Sequence, residues 1–159
     1  MAEMRVRDVM THLVVTLRPS DPLRFAAKRL AANRISGAPV VKEGKLVGVV
    51  TEADQMRAFA PYEEGDGSIL PGAPFMFLLR GAAPRLPEDL TVADAMTSDV
   101  ATIRPDAPVR EAAAKIDRRG IRRLPVVDED GYVVGVIARS DIVRAMALSE
   151  EAELQPSPA

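Results

Sequence analysis

Thr51 and Asp54 stand three residues apart in "GVVTEAD" (Gly48–Asp54), where an apolar run meets a helix-prone stretch. A hydroxyl and an acid at that spacing form a helix-start signature. The hydroxyl accepts a free backbone N–H, and the acid favours the first turn of the helix dipole. The same pair suits a ligand, because a carboxylate there can accept both hydroxyls of a ribose diol, as an acidic residue does in dinucleotide folds. Both readings stay open at the level of sequence. Gly48, lacking a Cβ, lets another backbone or a flat base approach its strand closely. The pattern returns as "GVIARSD" (Gly135–Asp141), with Asp141 in place but Ala138 at the hydroxyl position. Arg122 and Arg123 lead into the apolar run "LPVV". A guanidinium fork matches phosphate oxygens, and an exposed strand entry is the alternative reading of the pair. The one histidine, His12, has neither a cysteine nor an acidic partner in view and reads as a solvated loop residue.

The elements that must hold these residues follow from an internal repeat, which is best sought before any element is assigned. Val6–Val41 shifted forward by 86 positions lands on Val92–Val127 with 16 identities in 36 positions. After a one-residue insertion at Asp128, Lys42–Ala60 lands on Glu129–Ala147 with eight more identities in 19. Each copy opens on "DVMT" or "DAMT" and continues with a β-prone stretch, "LVVTL" or "VATI". "RPSDP" or "RPDAP" then starts an Ala-rich helix, proline near its first turn. Phe25, Ala26 and Leu30 in one copy, and Ala112, Ala113 and Ile116 in the other, are its expected core face. "APVV" or "LPVV" is a buried strand, "EGK" or "EDGY" a hairpin turn, and "LVGVV" or "VVGVI" the partner strand. A second helix, near Glu52–Phe59 or Ser140–Leu148, closes the unit. The fold class is α/β, two β-α-β-β-α units. One unit alone is too small to bury both faces of its sheet, which predicts a pseudo-two-fold pair packed through the sheets.

The expected organisation is a first unit over 6–60, a connecting stretch over 61–91, a second unit over 92–148 and a flexible tail over 149–159. The connection is turn-rich and acidic, then carries the apolar "FMFLLR" (Phe75–Arg80). This is either a short helix covering the core or a contact surface for a partner. With 21 Lys and Arg against 23 Asp and Glu, the formal net charge is −2, which offers no bulk attraction to nucleic acid or an anionic membrane. There is no cysteine, hence no disulfide framework or thiolate chemistry. No apolar run approaches the roughly 18 residues of a membrane span, and residues 1–10 lack the apolar core of a signal peptide. A cytoplasmic location is expected.

The ordered series "DVMT…TLRP…ISGAPVV…GKLVGVVTEAD" and "DAMT…TIRP…IRRLPVV…GYVVGVIARSD" resembles a tandem pair of CBS domains, a Bateman module. The resemblance covers Val6–Ala60 and Val92–Ala147. It implies a non-catalytic regulatory module that binds an adenosyl compound between its units, dimerises, and signals to an effector protein in trans. AMP, ADP or ATP would be a regulatory ligand and no cofactor is required. S-adenosylmethionine, NAD and cyclic dinucleotides are the alternatives within the family. Carried over residue by residue, one cleft would use Thr51 and Asp54 for the ribose, facing Val100, Ala101, Ile121, Arg122 and Arg123. Ile121 would lie near the adenine and one or both arginines would hold phosphate. The second, weaker cleft would use Asp141, facing Val14, Val15, Ile35, Ser36 and Gly37. It departs from the pattern at Ala138 and at the neutral Ser36-Gly37, and Arg139 could supply charge but no hydroxyl. A ligand-free structural dimerisation module is the competing reading. An enzyme is disfavoured, since no Walker loop, zinc-ligand spacing or nucleophile elbow is present.

Overall fold

In the computed structural model, which describes residues 3–12, 14–59 and 89–154, each repeat builds the same series of elements. The first supplies α1 (Val6–Val9), α2 (Leu23–Asn33), β1 (Gly37–Lys42), β2 (Lys45–Thr51) and α3 (Glu52–Phe59). The second supplies α4 (Val92–Ala95), α5 (Val109–Arg119), β3 (Arg123–Val127), β4 (Val133–Ala138) and α6 (Arg139–Leu154). The "DVMT" and "DAMT" segments thus open on single helical turns. Phe75–Arg80 lies outside the described residues. So does the end of the tail from Gln155, while α6 carries the acidic "SEEAEL" as helix to Leu154. Among the described residues no helix is long and apolar enough to cross a membrane.

The two hairpins turn differently. Glu43 and Gly44 join β1 to β2 with φ of 54° and 80°. Two successive left-handed residues match the right-handed twist of the strands they connect. In the second repeat the extra residue, Asp128, organises a longer loop. Its carboxylate accepts the N–H groups of Asp130 and Tyr132, both at 3.0 Å. Gly131 supplies the positive φ of 87° there, and the β3–β4 register shifts between Val126 and Val127.

Each two-stranded sheet is widened on both sides by single-residue bridges. Leu17 joins β1 in parallel through Val40, and Ile103 joins β3 through Val126. The first β-prone stretch of each repeat therefore meets its sheet at one residue. Leu17 donates to the Pro39 carbonyl at 3.0 Å and accepts from Val41 at 2.8 Å. On the other side Thr97 pairs with Val49 of β2, and Thr11 with Val136 of β4. Covering sheet edges in this way removes unpaired backbone groups that would otherwise recruit other strands.

These outer bridges show how the chain divides. One compact unit takes its described residues from Met1–Val14, Gly44–Leu46 and Ala101–Ala159, the other from Val15–Glu43 and Val47–Val100. The leading segment of each repeat thus belongs with the body of the other. In the first unit Val6 is fully buried among Ile103, Ala112, Ile116, Leu124, Val126, Ile137 and Ile142. In the second, Val92 is equally buried among Leu17, Leu23, Ala26, Leu30, Ala38, Val40 and Val50. Backbone bonds fix the exchange: Val6 donates to Ala107 and Val92 to Asp21, each at 2.9 Å.

The core face of α2 is Leu23, Ala26 and Leu30, and Phe25 is 42% exposed, against expectation. At about 100° per residue Phe25 lies about 200° around the helix from Leu23, on the opposite face. The Arg29 guanidinium covers its ring there, 5.7 Å from the centroid. In α5, Ala112 and Ile116 are buried and Ala113 packs against the same core from its margin.

Candidate functional site

The strand-to-helix turn at Thr51–Asp54 is built by the end of β2 and the start of α3. Its backbone is pinned from the residue just before β1, since the Ser36 carbonyl accepts the Glu52 N–H at 2.9 Å. Asp54 Oδ2 accepts both the Thr51 backbone N–H at 2.8 Å and the Thr51 hydroxyl at 2.9 Å. In return Asp54 N–H donates to Thr51 Oγ1 at 3.1 Å. The helix-start reading is thus realised in full. Asp54 Oδ1 pairs with the Arg57 guanidinium one turn along α3 and lies 3.5 Å from the Thr97 hydroxyl. Asp54 itself is only 6% exposed. A buried carboxylate needs such partners, because stripping its hydration without them costs several kcal/mol, of order 2–7 even for a neutral polar group.

Gly48 explains how Thr97 reaches this cluster. Val49 and Thr97 exchange two backbone hydrogen bonds, both 2.9 Å. A Cβ on Gly48 would stand 2.9 Å from the Thr97 carbonyl oxygen and 3.0 Å from the Met96 sulfur. The glycine therefore admits a second backbone, one of the two possibilities its type allowed. Gly135 does the same for Thr11, whose carbonyl would lie 3.0 Å from the added carbon.

The second copy is sparser. Asp141 Oδ2 accepts the Ala138 N–H at 2.8 Å, no hydroxyl is available at Ala138, and Arg144 stands 3.8 Å from Oδ1. The change at Ala138 has a cross-strand counterpart, since Ala138 lies opposite Arg123 in the β3–β4 register. In the first copy a Cβ on Gly37 would come within 3.1 Å of both the Thr51 methyl and the Val50 carbonyl. Small and large residues have traded places between the copies: glycine beside threonine in one, arginine beside alanine in the other.

The remaining candidate residues fall into place unit by unit. Val15, Ile35, Ser36, Gly37 and Val100 belong to the unit of Thr51 and Asp54. Val14, Ala101, Ile121, Arg122 and Arg123 belong to the unit of Ala138 and Asp141. The chain passes from one unit to the other at Val14–Val15 and at Val100–Ala101, equivalent positions of the repeat. Ala101 and Ile121 pack at the margin of one core, and Ile35 at the margin of the other. Arg122 is exposed, Arg123 half-buried, and the Arg122 carbonyl accepts the Arg139 N–H at 2.9 Å. His12 is exposed. Among the described residues no group of three or more His, Asp or Glu is placed to hold a metal ion.

Two members of the Asp54 cluster, Arg57 and Thr97, were not among the residues singled out from the sequence. Both carried a signal, since Arg57 recurs as Arg144 and Thr97 repeats Thr11 among the identities between copies. The acid–backbone clasp also recurs. Asp8 accepts from Arg5 N–H at 2.8 Å, Asp21 from Arg18 at 2.7 Å and Asp94 from Thr91 at 2.7 Å. The clasp alone is therefore a general device of this chain, to which Asp54 adds the Arg57 and Thr97 contacts.

Comparison with known proteins agrees with this architecture. The model of the CBS domain matches residues 6–60 and 92–148. The chain is 33% identical over 156 residues to the uncharacterized protein MJ1426 of Methanocaldococcus jannaschii, covering 90% of this chain and 91% of that protein. It spans only 23% of a longer relative that it matches at 30% identity over 139 residues. The CBS domain pair of protein MJ0100, solved with 5′-methylthioadenosine and S-adenosyl-L-methionine, superposes with a TM-score of 0.70 at 27% identity, over 93% of this chain and 99% of that one. CBSX2 solved with AMP, a protein of Arabidopsis thaliana, gives 0.73 at 27% identity over 92% and 98%. With both repeats matched, the chain belongs to the CBS-domain family, as a tandem pair.

Proposed function

We propose that this chain is a non-catalytic regulatory module that binds an adenosyl nucleotide of the AMP, ADP or ATP class and signals to an effector protein in trans, in the cytoplasm. The observation that carries the reading is the complete Thr51–Asp54 pair, folded at the end of β2 within a matched CBS segment. Related CBS pairs hold AMP in one case and S-adenosyl-L-methionine with 5′-methylthioadenosine in another, which supports an adenosyl group as the common element. In this reading Thr51 and Asp54 take the ribose hydroxyls, facing Val100, Ala101 and Ile121, with Ile121 near the adenine, and one or both of Arg122 and Arg123 meet the phosphate. The Asp141 site, with Val14, Val15, Ile35, Ser36, Gly37 and Ala138, is the weaker one. It lacks the hydroxyl and the paired arginines, and a buried phosphate without a facing cation is costly. A ligand regulates only through unequal affinity for two states of the module, so the effector must distinguish the loaded form.

The module is also proposed to be a homodimer. Val143 and Met146, three residues apart on α6, are 65% and 62% exposed, and Met56 on α3 is 67% exposed; exposed apolar surface of this kind marks contacts. A second reading, a dimerisation module without ligand, draws on one observation: the acceptor positions of Asp54 are already filled from within the fold. Isothermal titration with AMP, ADP, ATP and S-adenosylmethionine separates the two. Saturable heat with at least one of them supports the sensor, and none with all four supports the structural module.

A further inference from the structure

The Asp54 carboxylate offers about four acceptor positions, and four donors address them. Thr51 supplies its backbone N–H and hydroxyl to Oδ2, and Arg57 and the Thr97 hydroxyl face Oδ1. A ribose diol needs two of these positions. The four donors differ in how readily they yield. The Thr51 N–H is fixed by the strand end, and the Thr97 hydroxyl rides on a segment held by the Val49 bridge. The Arg57 side chain is 57% exposed and free to swing into water, whereas the carboxylate it meets is 6% exposed. We propose that Arg57 is a displaceable counter-ion: it competes with the ribose hydroxyls for Asp54 and so sets the affinity of the site. This rests on the adenosyl reading of the Thr51–Asp54 turn and goes beyond it by assigning a residue that opposes binding.

The second copy keeps the same acid–arginine spacing but not the same grip. Arg144 reaches only to 3.8 Å of Asp141 Oδ1, with Asp141 12% exposed. The latch is thus a property of the Asp54 turn. Its consequence is that loading the site releases a guanidinium from α3 into solvent. This alters the charge displayed on α3 beside Met56.

The test uses adenosine, which carries no phosphate, so that any attraction of Arg57 to phosphate does not enter. Arg57→Met removes the charge and keeps the stem. We expect Arg57→Met to bind adenosine about two- to fivefold more tightly than the wild type, the range of a partly exposed ion pair. Raising the salt from about 0.05 to about 0.5 M should narrow that gap, since screening weakens the pair only in the wild type. Thermal midpoints of both proteins establish that the variant is folded. Equal or weaker binding by Arg57→Met overturns the latch and makes Arg57 a support for the carboxylate. A gain that salt leaves unchanged also overturns it, because the lost bulk rather than the lost charge would then be responsible. Failure of both proteins to bind either adenosine or AMP overturns the adenosyl reading, and the latch with it.

Discussion

Replacing Gly48 by alanine is the most direct probe of how this turn is assembled. The added carbon would lie 2.9 Å from the Thr97 carbonyl oxygen and 3.0 Å from the Met96 sulfur. The sulfur ends a flexible side chain and can move aside. The carbonyl cannot move without its segment, because Thr97 also donates and accepts across to Val49 at 2.9 Å. A comfortable carbon–oxygen contact is about 3.3–3.6 Å, so the segment must retreat by roughly 0.5 Å. Overpacking of this kind costs about 1–3 kcal/mol, and each weakened backbone bond forfeits up to about 0.5–1.5 kcal/mol. Against this, alanine narrows the unfolded ensemble and returns about 0.4–1 kcal/mol. The net expectation is a loss of about 1–3 kcal/mol. For a chain of this size that lowers the midpoint by roughly 2–12 °C, at about 2–4 °C per kcal/mol. Thermal unfolding followed by circular dichroism reads the midpoint, and amide exchange reads Val49 and Thr97 directly. Gly135→Ala should behave alike, since its added carbon would meet the Thr11 carbonyl at 3.0 Å. An unchanged midpoint together with unchanged protection of the two amides would refute the docking role assigned to Gly48.

Asp54→Asn should lower stability by about 1.5–3 kcal/mol, the worth of hydrogen bonds to a charged group, and cut AMP affinity roughly ten- to a hundredfold by titration. Asp141→Asn, with one backbone donor and a distant arginine, should cost only about 1 kcal/mol, and equal losses at the two aspartates would sink the contrast between the turns. Arg122→Ala combined with Arg123→Ala should weaken AMP and ATP far more than adenosine, whereas equal losses for all three would mean that the arginines act through the fold. Sedimentation should give a species of twice the 17.1 kDa chain mass, and a monomer at micromolar concentration would count against the dimer.

Much of this protein was legible without coordinates because its determinants are local. The repeat is a property of the chain itself, and each hairpin and helix start depends on residues within four positions of one another. Glu43-Gly44 needs only its own backbone preference to turn, and Asp54 reaches Thr51 through one helical turn. Phe25 was misplaced by judging type over angle: an aromatic residue looks like core, yet its position about 200° from Leu23 sets it outside.

What tertiary structure alone decided lies at long range. No local preference tells Val6 to bury itself beside Ile137, or Val92 beside Leu17. Those partners lie far apart in the chain and are brought together only by packing in the folded cores. The same exchange brings Thr97 to Asp54, 43 positions away in the chain. By itself the sequence determined that there are two copies of one unit and that each ends in an acid at a helix start. The tertiary structure decided that each copy lends its first segment to the other. It also decided that Gly48 makes room for a backbone and that the Asp54 carboxylate is buried, because these depend on packing between distant segments rather than on neighbours in sequence.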